Sequence, residues 1–292
     1  MAEIEILLSH PTIWIWFVTI LGLLVGSFLN VVIHRLPTMM EKQWTCECQA
    51  LLNPDADTSE DNSPRYNLLV PPSSCPKCEH KIRPWENIPV ISYLFLRGKC
   101  GNCKTPISIR YPIIELAAGL LALLSALAYG PGLVSFMVCV LSWMLLAMSM
   151  IDVDHQLLPD SMTLPLLWLG LLLNANSMFV PLEDAVYGAA AGYLSLWSVY
   201  WLFKLVTGKE GMGFGDFKLL AALGAWMGWQ FLPLIILLSS MVGAVTGIAM
   251  IVIRGRDRNI PIPFGPYLAA AGLIAMFKGD ELISSYLQMA IY

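Results

Sequence analysis

Charge is scarce in this chain. Asp, Glu, Lys and Arg make up 13% of its 292 residues, against 57% hydrophobic residues and a mean hydropathy of +0.66. A soluble globular domain carries about 25% charged residues, so the shortage excludes one and selects an integral membrane protein. Strand-period alternation is missing from the apolar segments, which excludes a porin-type barrel and leaves helices. No Lys or Arg precedes the first apolar segment, where Glu3 and Glu5 stand. Without a basic n-region or a small-residue cleavage site, that segment reads as an uncleaved anchor and not as a secretory signal. An inverted repeat of the transporter kind is absent as well.

What is present is a series of apolar windows. Taken at about 20 residues each, they predict an all-α polytopic protein of about eight transmembrane helices. The spans fall at 13–33, 113–130, 132–151, 161–178, 184–206, 217–230, 231–253 and 264–278. The basic flank of the first span, His34-Arg35, follows it, which puts the N-terminus outside, in the periplasm. Threading the rest leaves 34–112, 152–160, 207–216 and 254–263 in the cytoplasm. Sixteen of the seventeen Lys and Arg residues then lie on the cytoplasmic side, with Lys278 the exception. A missed span would scramble that bias. The domain reading is a membrane anchor (1–33), a cytoplasmic loop domain (34–112) and a membrane-embedded core (113–292). The acidic, Pro-bounded stretch 53–64 is expected to be disordered.

The loop carries Cys75-Pro76-Lys77-Cys78 and, after 21 residues, Cys100-Gly101-Asn102-Cys103. Two CxxC knuckles at that distance match a four-thiolate zinc ribbon. Gly101 and Asn102 suit the knuckle turn because both tolerate positive φ. Two disulfides are the rival reading, disfavoured in a reducing compartment. Four sulfur ligands leave no open position, so the zinc would be structural. Cys46 and Cys48 form a separate C-x-C pair, and Cys139 reads as a small buried residue.

Carboxylates beside a bilayer core are functional candidates by default. Asp152 ends the third span within Ile151-Asp152-Val153-Asp154-His155, and Asp216 opens the sixth after Gly208, Gly211, Gly213 and Gly215. The chain crosses out and back between them, so both face the cytoplasm, and side-by-side packing of the two spans would let the carboxyls meet. Two carboxyls sharing a site cannot both ionise; the pair holds one proton, as in aspartic proteases. The ionised member would take a proton from water, and the protonated member would polarise the scissile carbonyl. The glycines would admit an extended peptide and allow positive φ beside the carboxylate. Their spacing does not make a nucleotide loop, since no strand precedes them and no G-K-[ST] follows. Either aspartate alone reads equally as a helix cap, Asp160 is a natural N-cap of the fourth span, and Glu115 either pairs with a cation or assists the site. A proton-coupled transporter using Asp152 and Asp216 as a relay is the alternative function, and a non-enzymatic assembly factor with a docking zinc lobe a third.

At these residues the chain resembles the bacterial type IV prepilin peptidases, the leader peptidase/N-methyltransferases that also serve type II secretion. The resemblance runs through Gly26-Ser27-Phe28-Leu29-Asn30 to Leu36-Pro37, both CxxC pairs, Arg83-Pro84-Trp85-Glu86-Asn87, Arg110-Tyr111-Pro112, 152–160, 211–218 and 261–267. It implies cleavage of prepilins and pseudopilins at the cytoplasmic face of the inner membrane, after a glycine that ends a basic leader. It also implies methylation of the new N-terminus with S-adenosylmethionine. The resemblance maps the catalytic aspartates onto Asp152 and Asp216, and the zinc ligands onto Cys75, Cys78, Cys100 and Cys103. A prepilin is a single apolar helix whose leader stays cytoplasmic, so its scissile bond would lie at the same interface. Gly211, Gly213 and Gly215 would wall the site, and Asp154 or Asp160 would attract the leader. Asn30, Arg35 and Gly98 are the candidates for the methyl-donor site. Membrane lipid is an expected partner; nucleic acid is not.

Overall fold

The computed structural model describes residues 10–52, 66–254 and 263–291. The stretch expected to be disordered, 53–64, lies outside them. The described residues contain eight long helices and no strand beyond two isolated bridges. We number the helices α1 (Pro11–Leu52), α2 (a short one, Ile91–Phe95), α3 (Arg110–Tyr129), α4 (Leu133–His155), α5 (Asp160–Asn174), α6 (Leu182–Thr207), α7 (Phe214–Met227), α8 (Leu232–Arg254) and α9 (Gly265–Ile291). Among the described residues, four segments are long and apolar enough to cross a membrane by length and composition: α1, α3, α4 and Trp229–Met250, which takes in most of α8.

The chain divides into two compact units, 1–143 and 144–292. In the first, α1 packs along α3. The amide of Asn30 donates to Tyr111 O at 3.2 Å, and Trp14 Nε1 donates to Ser135 Oγ at 3.2 Å. Both bonds satisfy polar groups that burial would otherwise penalise. Glu115, buried near the start of α3, accepts the Val90 N–H at 2.7 Å and so ties the loop to the helix. The partner seen here is a backbone amide, a role different from the two considered for it.

The expected spans find their helices, with different ends. α1 does not stop at Ile33 but runs on through Pro37 to Leu52. Hydropathy marks where a bilayer would end, whereas the helix continues into a polar surround. Gln43 and Glu47, one turn apart, bond there at 2.8 Å.

In the second unit α7 is the centre. Every residue from Asp216 to Met227 except Lys218 is buried, the mark of a helix apolar on all sides. It is the expected span 217–230 with its ends moved to Phe214 and Met227. At 1.5 Å per residue its 14 residues reach about 21 Å, short of a bilayer core of about 30 Å. Neighbouring helices, and not lipid, cover it. α7 packs along α5 and α6, not along α4 as the sequence suggested. Trp226 Nε1 donates to Leu166 O at 2.8 Å, and Asn174 Nδ2 donates to Ala225 O at 2.8 Å. The α6–α7 contact is backbone on backbone: a β-carbon at Gly188 would strike Gly224 O, and one at Gly224 would strike Gly188 O. Gly224→Val should therefore push the two helices apart and lower stability by about 3 kcal/mol or more, beyond the usual overpacking range. Thermal unfolding of the purified variant in detergent checks this.

Candidate active site and metal centre

The two knuckles of the loop are built alike. Ser74 bridges Lys81 and Lys99 bridges Pro106, each pair flanking a knuckle. Cys75 N–H donates to His80 O at 2.9 Å and Cys100 N–H to Thr105 O at 2.8 Å. The residue after the second cysteine is left-handed in both, Glu79 at φ 57° and Lys104 at φ 60°. Gly101 and Asn102 are not the left-handed positions, contrary to expectation. Gly101 is needed for proximity: a β-carbon there would lie 2.6 Å from Glu86 Oε1. Glu86 in turn accepts from Arg83 N–H at 2.9 Å and lies 3.3 Å from His80 Nε2. The Arg83 amide and His80 hold its carboxyl below the usual range. This carboxylate joins both halves of the lobe.

The Sγ atoms of Cys75, Cys78, Cys100 and Cys103 all lie within 4.8 Å of one another. Cys75 and Cys103 sulfurs are 3.7 Å apart. Tetrahedral zinc with bonds of about 2.3 Å sets its sulfurs about 3.8 Å apart, whereas a disulfide needs about 2.05 Å. The cluster fits a structural zinc. The surroundings act unequally on the thiols: the Lys77 and Cys78 amides pull Cys75 down and the Thr105 hydroxyl and N–H bring Cys103 down to about 6, whereas at Cys78 the pull of the His80 amide is outweighed by burial and the Cys103 thiol, and it is raised. Asn102 Nδ2 donates to Cys78 Sγ at 3.7 Å. Cys46 and Cys48 sit exposed on α1, apart from this cluster.

Asp152 lies in the last turn of α4 and Asp216 in the first turn of α7, both within the second unit and both buried, at 5% and 7% exposure. They are close enough for the charge of Asp152 to act on Asp216. Asp152 Oδ2 accepts the Gly265 N–H at 2.9 Å. A β-carbon at Gly265 would fall 2.7 Å from that oxygen, so only glycine lets the first residue of α9 approach so closely. Asp216 Oδ1 is buried with no hydrogen-bond partner among the described residues. Native structures satisfy almost all such atoms, so an exception calls for an explanation, of which a catalytic role is one.

The glycine run behaves differently from expectation. Only Gly208 is left-handed, at φ 69°, closing α6. Gly213 is extended, with φ −81° and ψ 148°, and caps α7. Gly211 meets the Phe203 ring, and Gly215 meets Leu158, whose Cβ would be 2.7 Å from an added β-carbon. Leu158 also reaches Gly265, so one side chain touches the segments that carry both acids. Residue chemistry gave no sign of Leu158 or Gly265. The Phe264-Gly265-Pro266 string belonged to the family pattern, but a backbone N–H leaves no mark in side-chain identity.

Asp160 is not an N-cap. Pro159 holds that position, and the Asp160 carboxylate binds Lys218 Nζ at 2.6 and 2.7 Å. Asp154 and His155 are exposed at the end of α4. Asn30 and Arg35 direct their donors at protein carbonyls: Asn30 at Gly26 O and Tyr111 O, Arg35 at Asn67 O and Leu68 O. Gly98, at φ 66°, packs on the Tyr93 hydroxyl.

An all-helical membrane chain with a four-thiolate lobe and a buried pair of carboxyls has the parts of a membrane-embedded peptidase. Residues 20–129 match the bacterial peptidase A24 N-terminal domain and residues 139–248 the type IV leader peptidase family. The chain is 58% identical over 290 residues to a prepilin leader peptidase/N-methyltransferase of Stutzerimonas stutzeri, covering 99% of each. It is 57% identical over 290 residues to one of Pseudomonas aeruginosa, again covering 99% of each. With one of Aeromonas hydrophila it shares 55% identity over 282 residues, 96% of this chain and 97% of the other. No solved structure matches. The chain belongs to the type IV leader peptidase family. It is an enzyme with peptidase and N-methyltransferase activities, and S-adenosylmethionine is its methyl donor. The transporter reading finds no support in these relatives.

Proposed function

We propose that this enzyme removes the leader from type IV prepilins, and from the pseudopilins of type II secretion, using Asp152 and Asp216 as its catalytic pair. The observation that carries the reading is the pair itself: two buried, electrostatically coupled carboxyls, one held by the Gly265 amide and the other with a partnerless oxygen. The ionised member takes a proton from water as the oxygen bonds to the scissile carbonyl carbon. The protonated member donates to the carbonyl oxygen. The tetrahedral adduct then breaks its C–N bond, and a proton passes from the pair to the leaving amine.

The site works at the cytoplasmic face of the bacterial inner membrane, with the N-terminus periplasmic, on the evidence of the lopsided distribution of Lys and Arg. In this reading 1–33 is an anchor in the lipid, 34–112 the cytoplasmic zinc lobe and 113–292 the peptidase core. Gly211, Gly213 and Gly215 flank the substrate. Of the acids proposed to draw in the basic leader, Asp160 already binds Lys218, so its pull on a leader is reduced, while Asp154 is exposed.

Incubating the purified protein with a prepilin and labelled S-adenosylmethionine should yield a shortened pilin bearing label at its new N-terminus. A shortened product without label would remove the methyl-transfer half of this assignment. An intact substrate would remove the peptidase half.

A further inference from the structure

Among the described residues, the zinc lobe of the first unit leaves an apolar helix face bare. In α2, Ile91, Leu94 and Phe95 stand at i, i+3 and i+4 and so share one side of the helix. They are 51%, 69% and 84% exposed. Other α2 side chains are used inside the lobe, where Tyr93 meets Gly98 and Leu96 reaches Gly101. Trp85 and Ile88, just before the helix, are exposed as well. A row of large apolar residues at helical spacing, turned away from its own lobe, marks an interaction surface.

A hydrogen bond fixes where this face sits. Val90, the N-cap of α2, donates its N–H to Glu115 Oε2 at 2.7 Å. Glu115 is the sixth residue of α3, about 7.5 Å along that helix from Arg110 at 1.5 Å per residue. α3 is long and apolar enough to cross a membrane, and its exposed Ile113, Leu116 and Leu120 offer a surface to lipid. The start of α2 is thus tied to the second turn of a membrane helix. Interfacial helices seat their apolar face about 5–10 Å into the boundary between headgroups and acyl chains, which is the same range. Charge agrees with that placement. Between Glu86 and Glu115 there is no Asp or Glu, while Arg97, Lys99, Lys104 and Arg110 all fall there. The Arg83 guanidinium lies 5.5 Å over the Trp85 ring, so the edge of the row pairs a cation with an aromatic. Both groups suit an anionic headgroup layer. We propose that α2 is an interfacial anchor. Ile91, Leu94 and Phe95 lie in the acyl boundary of the leaflet that Arg110 reaches, and the basic residues lie against anionic phospholipid headgroups. The inference rests on α3 crossing the bilayer, as in the reading above, and not on the peptidase assignment. A soluble protein partner fits less well, because the Glu115 bond holds the face at the edge of the bilayer.

The test places a photoreactive phenylalanine in the full-length protein at Phe95, at Leu120 or at Cys48. Leu120 is exposed on α3, and Cys48 is exposed on α1 about 20 Å beyond its expected span end at Ile33. Each protein is put into nanodiscs of phosphatidylethanolamine and phosphatidylglycerol and irradiated, and its adducts are identified by mass. Lipid adducts at Phe95 should come within about twofold of those at Leu120 and exceed those at Cys48 by about tenfold or more. Adding Leu94→Asp should cut the Phe95 lipid adduct by about fivefold or more with the size-exclusion elution unchanged, because a carboxylate is costly at that depth. Lipid labelling at Phe95 as low as at Cys48, with Leu120 labelled, would overturn the anchor alone. So would Phe95 adducts with a second copy of the chain in place of lipid, or a Leu94→Asp protein whose Phe95 labels lipid as before. Failure of Leu120 itself to label lipid would remove the crossing of α3, and the anchor with it.

Discussion

Asp152→Asn and Asp216→Asn should each slow leader cleavage by about a thousandfold or more, while leaving methylation of an already cleaved pilin intact. An amide cannot take a proton from water, so the attacking hydroxide is never made. Neither substitution should unfold the protein. Asn keeps a carbonyl that can accept the Gly265 N–H in place of Asp152 Oδ2, at 2.9 Å in the wild type. At position 216 a carboxyl oxygen without a protein partner is exchanged for a neutral group, which lowers the penalty of burial. Asp154→Asn and Asp160→Asn, at exposed positions, should cut within about tenfold of the wild-type rate, since exposed charges contribute little. Gel-shift rates on one prepilin, with label transfer to mature pilin from the same preparation, read both activities. Cleavage at the wild-type rate by either of the first two variants would rule out the pair.

Cys75→Ser or Cys100→Ser should release the metal and unfold the loop. Structural zinc supplies about 10–16 kcal/mol of binding free energy in small domains, and a lobe with so little core has nothing comparable to replace it. Trp85, Leu94 and Phe95 are exposed, and within the lobe only Cys75 and Cys100 are buried among the hydrophobic residues. The expected signs are one zinc per wild-type chain, none in either variant, and rapid proteolysis between residues 66 and 109. Cys46→Ser and Cys48→Ser should keep the metal, because neither thiol joins the four-sulfur cluster. Metal analysis of the purified proteins decides it. A wild-type preparation that is folded and free of zinc would end the ribbon assignment.

Much of this was legible beforehand because hydropathy and cysteine spacing are local signals. The eight long helices, the four clustered thiols and the closeness of Asp152 to Asp216 could all be anticipated. Helix ends could not. α1 passes Pro37 because a helix, once begun, needs no lipid to continue, and the polar residues after 37 are adequate helix formers. The window found α7 at 217–230 but not its ends at Phe214 and Met227, because its brevity is compensated by neighbours far away in sequence. The knuckle turns were assigned to the permissive residues, Gly101 and Asn102, whereas the bridge geometry places the left-handed step on Glu79 and Lys104. Leu158 and Gly265 were invisible for a deeper reason. Their contribution is a methyl group between two segments and one N–H, neither of which has a residue-type signature.

The bond from Gly265 to Asp152 spans 113 positions, so it can form only once the start of the last helix has been made. A nascent chain that has emerged as far as residue 248, where the family match ends, already carries both acids but not the amide that fixes one of them. In such a half-made protein Asp152 still lacks the hydrogen bond that the first residue of α9 supplies.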